Sequence, residues 1–145
     1  MKRHALAHQF VEAVPDRLED GVLYVSMKYA TAAHRCCCGC GSEVVTPLSP
    51  SDWRLTFDGE SITLYPSIGN WSFACRSHYW IGNGKVKWDR QWSAKEIAQV
   101  RTKDRLARHR HYSEDYATDL EHPLKVTQST REQTSLWTRV KKWFG

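Results

Sequence analysis

The chain has no apolar run approaching the roughly 18–20 residues that span a bilayer, so no membrane span is expected. Its first residues, Met1-Lys-Arg-His-Ala-Leu-Ala-His8, are basic but lead into no apolar h-region. That excludes a secretory signal of the usual kind and leads to the expectation of a cytoplasmic protein. Charge of one sign is also scarce: 21 Lys and Arg stand against 16 Asp and Glu, a net charge of +5. This permits weak attraction to nucleic acid or acidic partners and establishes neither. Neither an H-E-x-x-H nor a His-x-His followed by Ser and Asp occurs, which removes the common metallopeptidase patterns. Cysteine is absent except in two short segments.

Those segments are His34-Arg-Cys36-Cys37-Cys38-Gly-Cys40-Gly41 and Cys75-Arg-Ser-His78, and they hold all five cysteines. Thiols this concentrated in a small chain point to a metal, and zinc is the usual occupant of four Cys and His donors. Cys36, Cys38 and Cys40 alternate, so an extended backbone would project them to one side. Gly39 and Gly41 permit the tight turns that bring sulfurs together. Cys75 and His78 have a spacing at which both donors reach one ion. Free thiols or a disulfide are the competing explanation. An odd number of cysteines and such close neighbours count against bridges.

At 145 residues, with 41% hydrophobic residues and seven tryptophans, the chain suits one modest core. His8–Val14, Val22–Met27, Glu43–Thr46, Trp53–Phe57 and Ser61–Tyr65 read as strands. Asp58-Gly59 between two alternating runs marks a hairpin, and Gly82-Asn-Gly84 between Tyr79–Ile81 and Val86–Trp88 marks another. Pro66–Asn70 reads as a loop of turn formers. After Trp88 the pattern changes. Ser93 and Glu96 have capping-box spacing, opening a helix through Arg108 with Ile97, Val100 and Leu106 on one stripe. Residues 109–128 read as a linker, and Ser129–Glu132 caps a second, amphipathic helix to Phe144. That helix either packs on protein or docks at a membrane surface. The expectation is a mainly β (α+β), zinc-stapled antiparallel domain over 1–92 and a helical extension over 93–145.

Five stretches carry a resemblance: His34-x-Cys36-x-Cys38-Gly-Cys40-Gly, Val45-Thr-Pro-Leu-Ser-Pro50, Phe57-Asp-Gly59 after Trp53, Pro66-Ser-Ile-Gly-Asn-Trp71 and Cys75-x-Ser-His-Tyr-Trp-Ile81. Over residues 8–89 the chain resembles a small bacterial domain family. Its members are encoded beside ubiquitin-like proteins and their activating and conjugating enzymes, in operons linked to phage defence. The resemblance does not cover the C-terminal third. Cys37 stands where members often carry another residue, so the implied zinc ligands are Cys36, Cys38, Cys40 and Cys75. Such operons usually include a peptidase that matures the modifier or removes it from targets. The resemblance therefore implies a role in that pathway, with the ubiquitin-like protein and its conjugation enzymes as partners.

A serine peptidase needs a hydroxyl nucleophile, a base, an orienting acceptor and oxyanion donors. Ser67 lies before Ile68-Gly69-Asn70 and is the candidate nucleophile; the Asn70 amide or nearby N–H groups are candidate oxyanion donors. His78 is the candidate base if four cysteines complete the zinc site, and otherwise a zinc ligand, leaving His34 as the remaining base. Ser77 is a second nucleophile candidate, and Asp58 a candidate to orient the base as well as a turn former. A metallopeptidase would need an open metal position and a carboxylate base; thiolates favour a closed ion. The reading from a different class is a non-catalytic zinc module. Trp53, Trp71, Tyr79, Trp80 and Trp88, interleaved with Lys85, Lys87 and Arg90, would then hold a protein partner, with nucleic acid a lesser candidate.

Overall fold

The structure is a computed structural model and describes residues 1–121. The chain divides into two compact units, Met1–Lys103 and Asp104–Gly145. The first holds eight strands in two four-stranded sheets. Sheet one has the order β1 (Ala7–Phe10), β2 (Val22–Ser26), β3 (Thr31–Arg35), β4 (Glu43–Pro47). Its β1–β2 pair is parallel and the others are antiparallel. Sheet two is an antiparallel meander of β5 (Arg54–Phe57), β6 (Ile62–Gly69), β7 (His78–Gly82) and β8 (Lys85–Trp88). The mainly β fold expected from the alternating runs is therefore the fold observed.

Alternation sets which residues face inward. Leu23, Val25, Ala32 and Val44 of sheet one form one buried cluster with Ile62, Leu64, Ile68, Tyr79, Ile81 and Val86 of sheet two. Burying one Leu or Ile side chain stabilises a fold by about 1.5–3 kcal/mol. A smaller cluster of Leu18, Tyr24 and Ala33 lies apart from this core, with Val11 and Val14 packed against it. This explains why β1 ends at Phe10 rather than Val14: Val11 and Val14 leave the strand for that second cluster.

A polar chain runs through the main core. His34 Nε2 lies 2.8 Å from Tyr79 Oη, and Asn70 Nδ2 donates to the same hydroxyl at 3.4 Å. Burial lowers His34 to about 4, so the ring is neutral, and pushes the Tyr79 phenol up. The arrangement ties β3 to β7 through side chains as well as through apolar contact.

Three expectations change. Residues Pro66–Gly69 are strand, not loop: β6 continues past Pro66 by means of a bulge. The pairs Leu64–Ile81 and Ile68–Tyr79 leave Tyr65, Pro66 and Ser67 facing Trp80 alone. Pro66, which has no N–H to give a ladder, suits such a position. Thr31–Arg35, which the alternation signal does not mark, is a central strand. The helix α1 runs Ala94–Glu121 and so extends through much of the expected linker. No Pro or Gly interrupts residues 94–121, and Pro123 is the first breaker. Its start follows the capping box: Glu96 N–H donates to Ser93 Oγ at 3.3 Å, and Ser93 N–H to Glu96 Oε2 at 2.8 Å. Ile97 is buried, whereas Leu106 is exposed. The helix expected over 129–144 lies outside the described residues. No described helix is long and apolar enough to cross a membrane.

Replacing Tyr79 by Phe leaves Asn70 and His34 without their shared partner inside the core. We expect a loss of about 1–3 kcal/mol, measured as a lower urea midpoint with an unchanged m-value.

Candidate active site and metal centre

Four thiols converge at one end of the sandwich. Cys36, Cys38 and Cys40 come from the loop after β3, and Cys75 from the turn between β6 and β7. Their Sγ atoms all lie within 4.8 Å of one another, with Cys36–Cys38 at 3.4 Å, Cys36–Cys75 at 3.9 Å and Cys40–Cys75 at 3.8 Å. A tetrahedral ion with metal–sulfur bonds of about 2.3 Å places its sulfurs about 3.8 Å apart, so the donor set fits a metal ion. The first three thiols do not converge through an extended backbone, as alternation suggests. The segment is a tight loop in which Gly39 and Gly41 take φ of 85° and 79°, values that side chains disfavour. Gly39 N–H closes the turn on the Cys36 carbonyl at 3.0 Å. None of the five cysteines is in a disulfide. Cys37 points into the core, where burial pushes its thiol up to about 12.

Polar groups orient the cluster from the protein side. Ser77 Oγ is 3.1 Å from Cys36 Sγ, and Asn70 Nδ2 donates to Ser77 Oγ at 2.9 Å and to Cys36 Sγ at 3.6 Å. Ser77 is buried in this network. The Asn70 amide faces the sulfurs and Tyr79 rather than Ser67. Ser77, the second nucleophile candidate, thus contacts Cys36, Cys75 and Asn70, and the Asn70 amide, a candidate oxyanion donor, is turned to Ser77, Cys36 and Tyr79. His34 is fully buried beside Tyr79.

Ser67 and His78 do meet. The β6 bulge places the Ser67 hydroxyl 2.8 Å from His78 Nε2. On the other side of the ring, His78 Nδ1 lies 3.0 Å from Asp89 Oδ2. That second contact is off the line of the ring N–H, a close ion-pair approach rather than a linear hydrogen bond. Such contacts often tighten only with substrate bound. Both ring nitrogens thus face groups outside the sulfur cluster, whose four donors are all cysteines. Desolvation lowers His78 below its ordinary 6.5; the Asp89 carboxylate opposes that shift and Arg90 adds to it. The carboxylate favours the Nδ1–H tautomer, which leaves the Nε2 lone pair for the serine proton.

Aromatic rings roof the histidine. Trp71 packs on His78 with ring centroids 4.9 Å apart, Trp92 meets it edge-on at 4.6 Å, and the two indoles stack at 5.3 Å. Trp92 Nε1 donates to Asp89 Oδ2 at 3.3 Å, so one ring both covers the imidazole and holds the carboxylate beside it. Gly69 makes the packing possible: a Cβ there would collide with the Trp71 indole.

Asp58 stands elsewhere. It caps the β5–β6 turn, accepting from Ser61 N–H at 2.6 Å and Glu60 N–H at 2.9 Å, and those bonds hold its carboxyl at about 2. Sequence reasoning missed Asp89 and Trp92. A signal for Asp89 existed, because a two-residue turn at Asn83-Gly84 pairs Tyr79 with Trp88. The next position along the hairpin sets His78 beside Asp89, whose N–H donates to the His78 carbonyl at 3.0 Å. No local pattern announces Trp92. Of the aromatics considered as a binding face, Trp53, Tyr79 and Trp88 pack on the core and Trp71 stacks on Trp92, whereas Trp80 is exposed.

Among known proteins, a family model described as bacterial ubiquitination-like system serine protease (BubE) matches residues 10–89. No curated protein and no solved structure matches.

The sulfur geometry predicts one metal ion per chain in protein purified without added metal. Cys75→Ser should abolish that stoichiometry in elemental analysis, whereas Cys37→Ser should retain it. Equal metal content in both variants would contradict the four-cysteine assignment.

Proposed function

The chain belongs to the BubE family of bacterial ubiquitination-like system serine proteases, and from that premise we propose that Ser67, His78 and Asp89 are its proteolytic residues. The observation that carries the proposal is the continuous contact from Ser67 Oγ through the His78 ring to Asp89. In this reading Ser67 Oγ attacks the carbonyl carbon of the scissile bond while His78 Nε2 takes its proton. Asp89 holds the Nδ1–H and stabilises the imidazolium that forms. As the tetrahedral intermediate collapses, His78 gives the proton to the departing amine and Ser67 keeps the acyl group. Water, deprotonated by His78, then releases the acid and restores the serine. Trp71 and Trp92 keep bulk water from the ring, which strengthens the electrostatics of the pair.

The proposed substrate is the ubiquitin-like modifier, cleaved after its tail during maturation or removal from a target, in a cytoplasmic conjugation pathway associated with antiviral defence. The proposed metal is zinc, held by Cys36, Cys38, Cys40 and Cys75. A bound zinc would neutralise the thiolates and cross-link the loop after β3 to the turn before β7; with four protein donors it would have no position open for water. Its role in this reading is structural. It fixes the turn that leads into His78.

Ser67→Ala should abolish cleavage of a modifier fusion while metal content and unfolding midpoint stay at wild-type values. Cleavage by the variant at the wild-type rate would reject Ser67. The pH profile supplies a second check. Because burial lowers His78, the base stays neutral and competent at and above pH 6.5, and kcat/KM should fall only as pH drops below that value. Asp89→Asn removes the carboxylate that opposes the lowering. It should move the inflection further to acid and reduce kcat by about 10²- to 10⁴-fold. A variant with unchanged kcat and profile would remove Asp89 from the mechanism.

A further inference from the structure

The outer face of sheet two carries a row of side chains that the catalytic reading does not use. Cross-strand pairing sets Arg54 opposite Tyr65 and Trp80 opposite Lys87, and the β6 bulge sets Tyr65 beside Trp80. The result is one row, Arg54–Tyr65–Trp80–Lys87, crossing all four strands. Its two rings lie 6.3 Å apart, and the Arg54 guanidinium sits 5.5 Å from the Tyr65 ring. Tyr65 is 56% and Trp80 39% exposed, high values for large aromatic side chains on a sheet. Ser67 belongs to the same bulge.

Access to Ser67 has a direction. On the His78 side the face is roofed by Trp71 and Trp92. On the other side lies the open row. A chain approaching the hydroxyl along the open face crosses Tyr65 and Trp80. The charges along that path have one sign. Arg54 and Lys87 end the row, Lys85 stands two pairs further along β8, and none of the three has an ion pair among the described residues. Exposed aromatics flanked by unpaired cations suit an extended peptide with acidic side chains, since apolar and π contacts supply the middle and charge pairing fixes the ends.

We propose that Arg54, Tyr65, Trp80 and Lys87 form the substrate-binding row of the protease, which takes an extended, acidic segment of the substrate leading to the scissile bond. The proposal rests on Ser67 being the nucleophile, and it adds the class of peptide recognised and the residues that select it. The row residues touch no reacting atom; they determine specificity.

The test uses full-length Ser67→Ala protein, which removes turnover, and two fluorescent octapeptides with the same apolar residues, one carrying glutamates and the other lysines. The glutamate peptide should bind at least tenfold more tightly by anisotropy. The preference should vanish when Arg54→Glu and Lys87→Glu are added, and binding should weaken at least fivefold with Trp80→Ala. Equal binding of the two peptides, binding of neither, or a preference that survives the charge reversal would overturn the row. Labelling of otherwise wild-type protein with a fluorophosphonate separates this proposal from its premise. Labelling at Ser67 should persist in the charge-reversed protein, as it would if the row selects peptides without performing chemistry. Labelling lost there would make the row part of the catalytic centre and overturn its assignment to specificity. An unlabelled wild type that keeps the glutamate preference would sink the serine reading while leaving the row standing.

Discussion

The convergence of Cys36, Cys38 and Cys40 on Cys75 is the constraint on which the working end of the molecule depends. The two sheets already share an apolar core, but that core is non-directional and would tolerate small slides of one sheet over the other. A metal ion held by these four sulfurs would remove that freedom at one end. It would do so beside the turn that feeds β7, three residues before His78. The Ser77 and Asn70 side chains carry the constraint inward, from Cys36 to the Tyr79 hydroxyl and on to His34. Polar satisfaction and sulfur geometry thus act on the same short segment. In a chain this small, a cross-link between distant loops supplements what hydrophobic burial alone can supply.

Much of this architecture is legible in the residues. Strict alternation over Trp53–Phe57 and Ser61–Tyr65 around Asp58-Gly59 specifies one hairpin, and Gly82-Asn-Gly84 specifies the other. The sulfur cluster is legible because thiols occur nowhere else. What escapes such reading has physical causes. Thr31-Ala-Ala-His-Arg35 is a central strand with two alanines and no bulky β former, so its strand character comes from pairing with β2 and β4 rather than from propensity. Pro66 reads as a loop signal, yet a bulge accommodates it within β6. The helix over 94–121 has helix-forming residues but little apolar stripe past Val100, so periodicity gives no reason to extend it.

The candidate site illustrates the same division. Ser67 and His78 stand out as residue types next to turn formers and thiols, but their contact depends on a bulge that no local pattern encodes. Asp58 attracts notice because Asp-Gly is a strong turn signal, and the turn accounts for all of its hydrogen bonds. Asp89 follows from counting register outward from Asn83-Gly84. Trp92 lies beyond the last strand, and only the folded chain brings it over the histidine.

The hydroxyl, imidazole and carboxylate all lie within the 67–89 stretch: Ser67 on β6, His78 at the start of β7 and Asp89 one residue past the end of β8. As a proposed triad, their chain order, Ser then His then Asp, differs from the orders of chymotrypsin, subtilisin and the α/β-hydrolases. In those folds, long excursions deliver the members from remote parts of the chain, and lengths can drift. Here hydrogen-bond ladders deliver them, and ladders move only in whole steps. A one-residue slip in the β7–β8 register set by the turn at Asn83-Gly84 would carry the carboxylate to the opposite side of the sheet. The register that this small reverse turn sets is therefore an all-or-none parameter for the carboxylate.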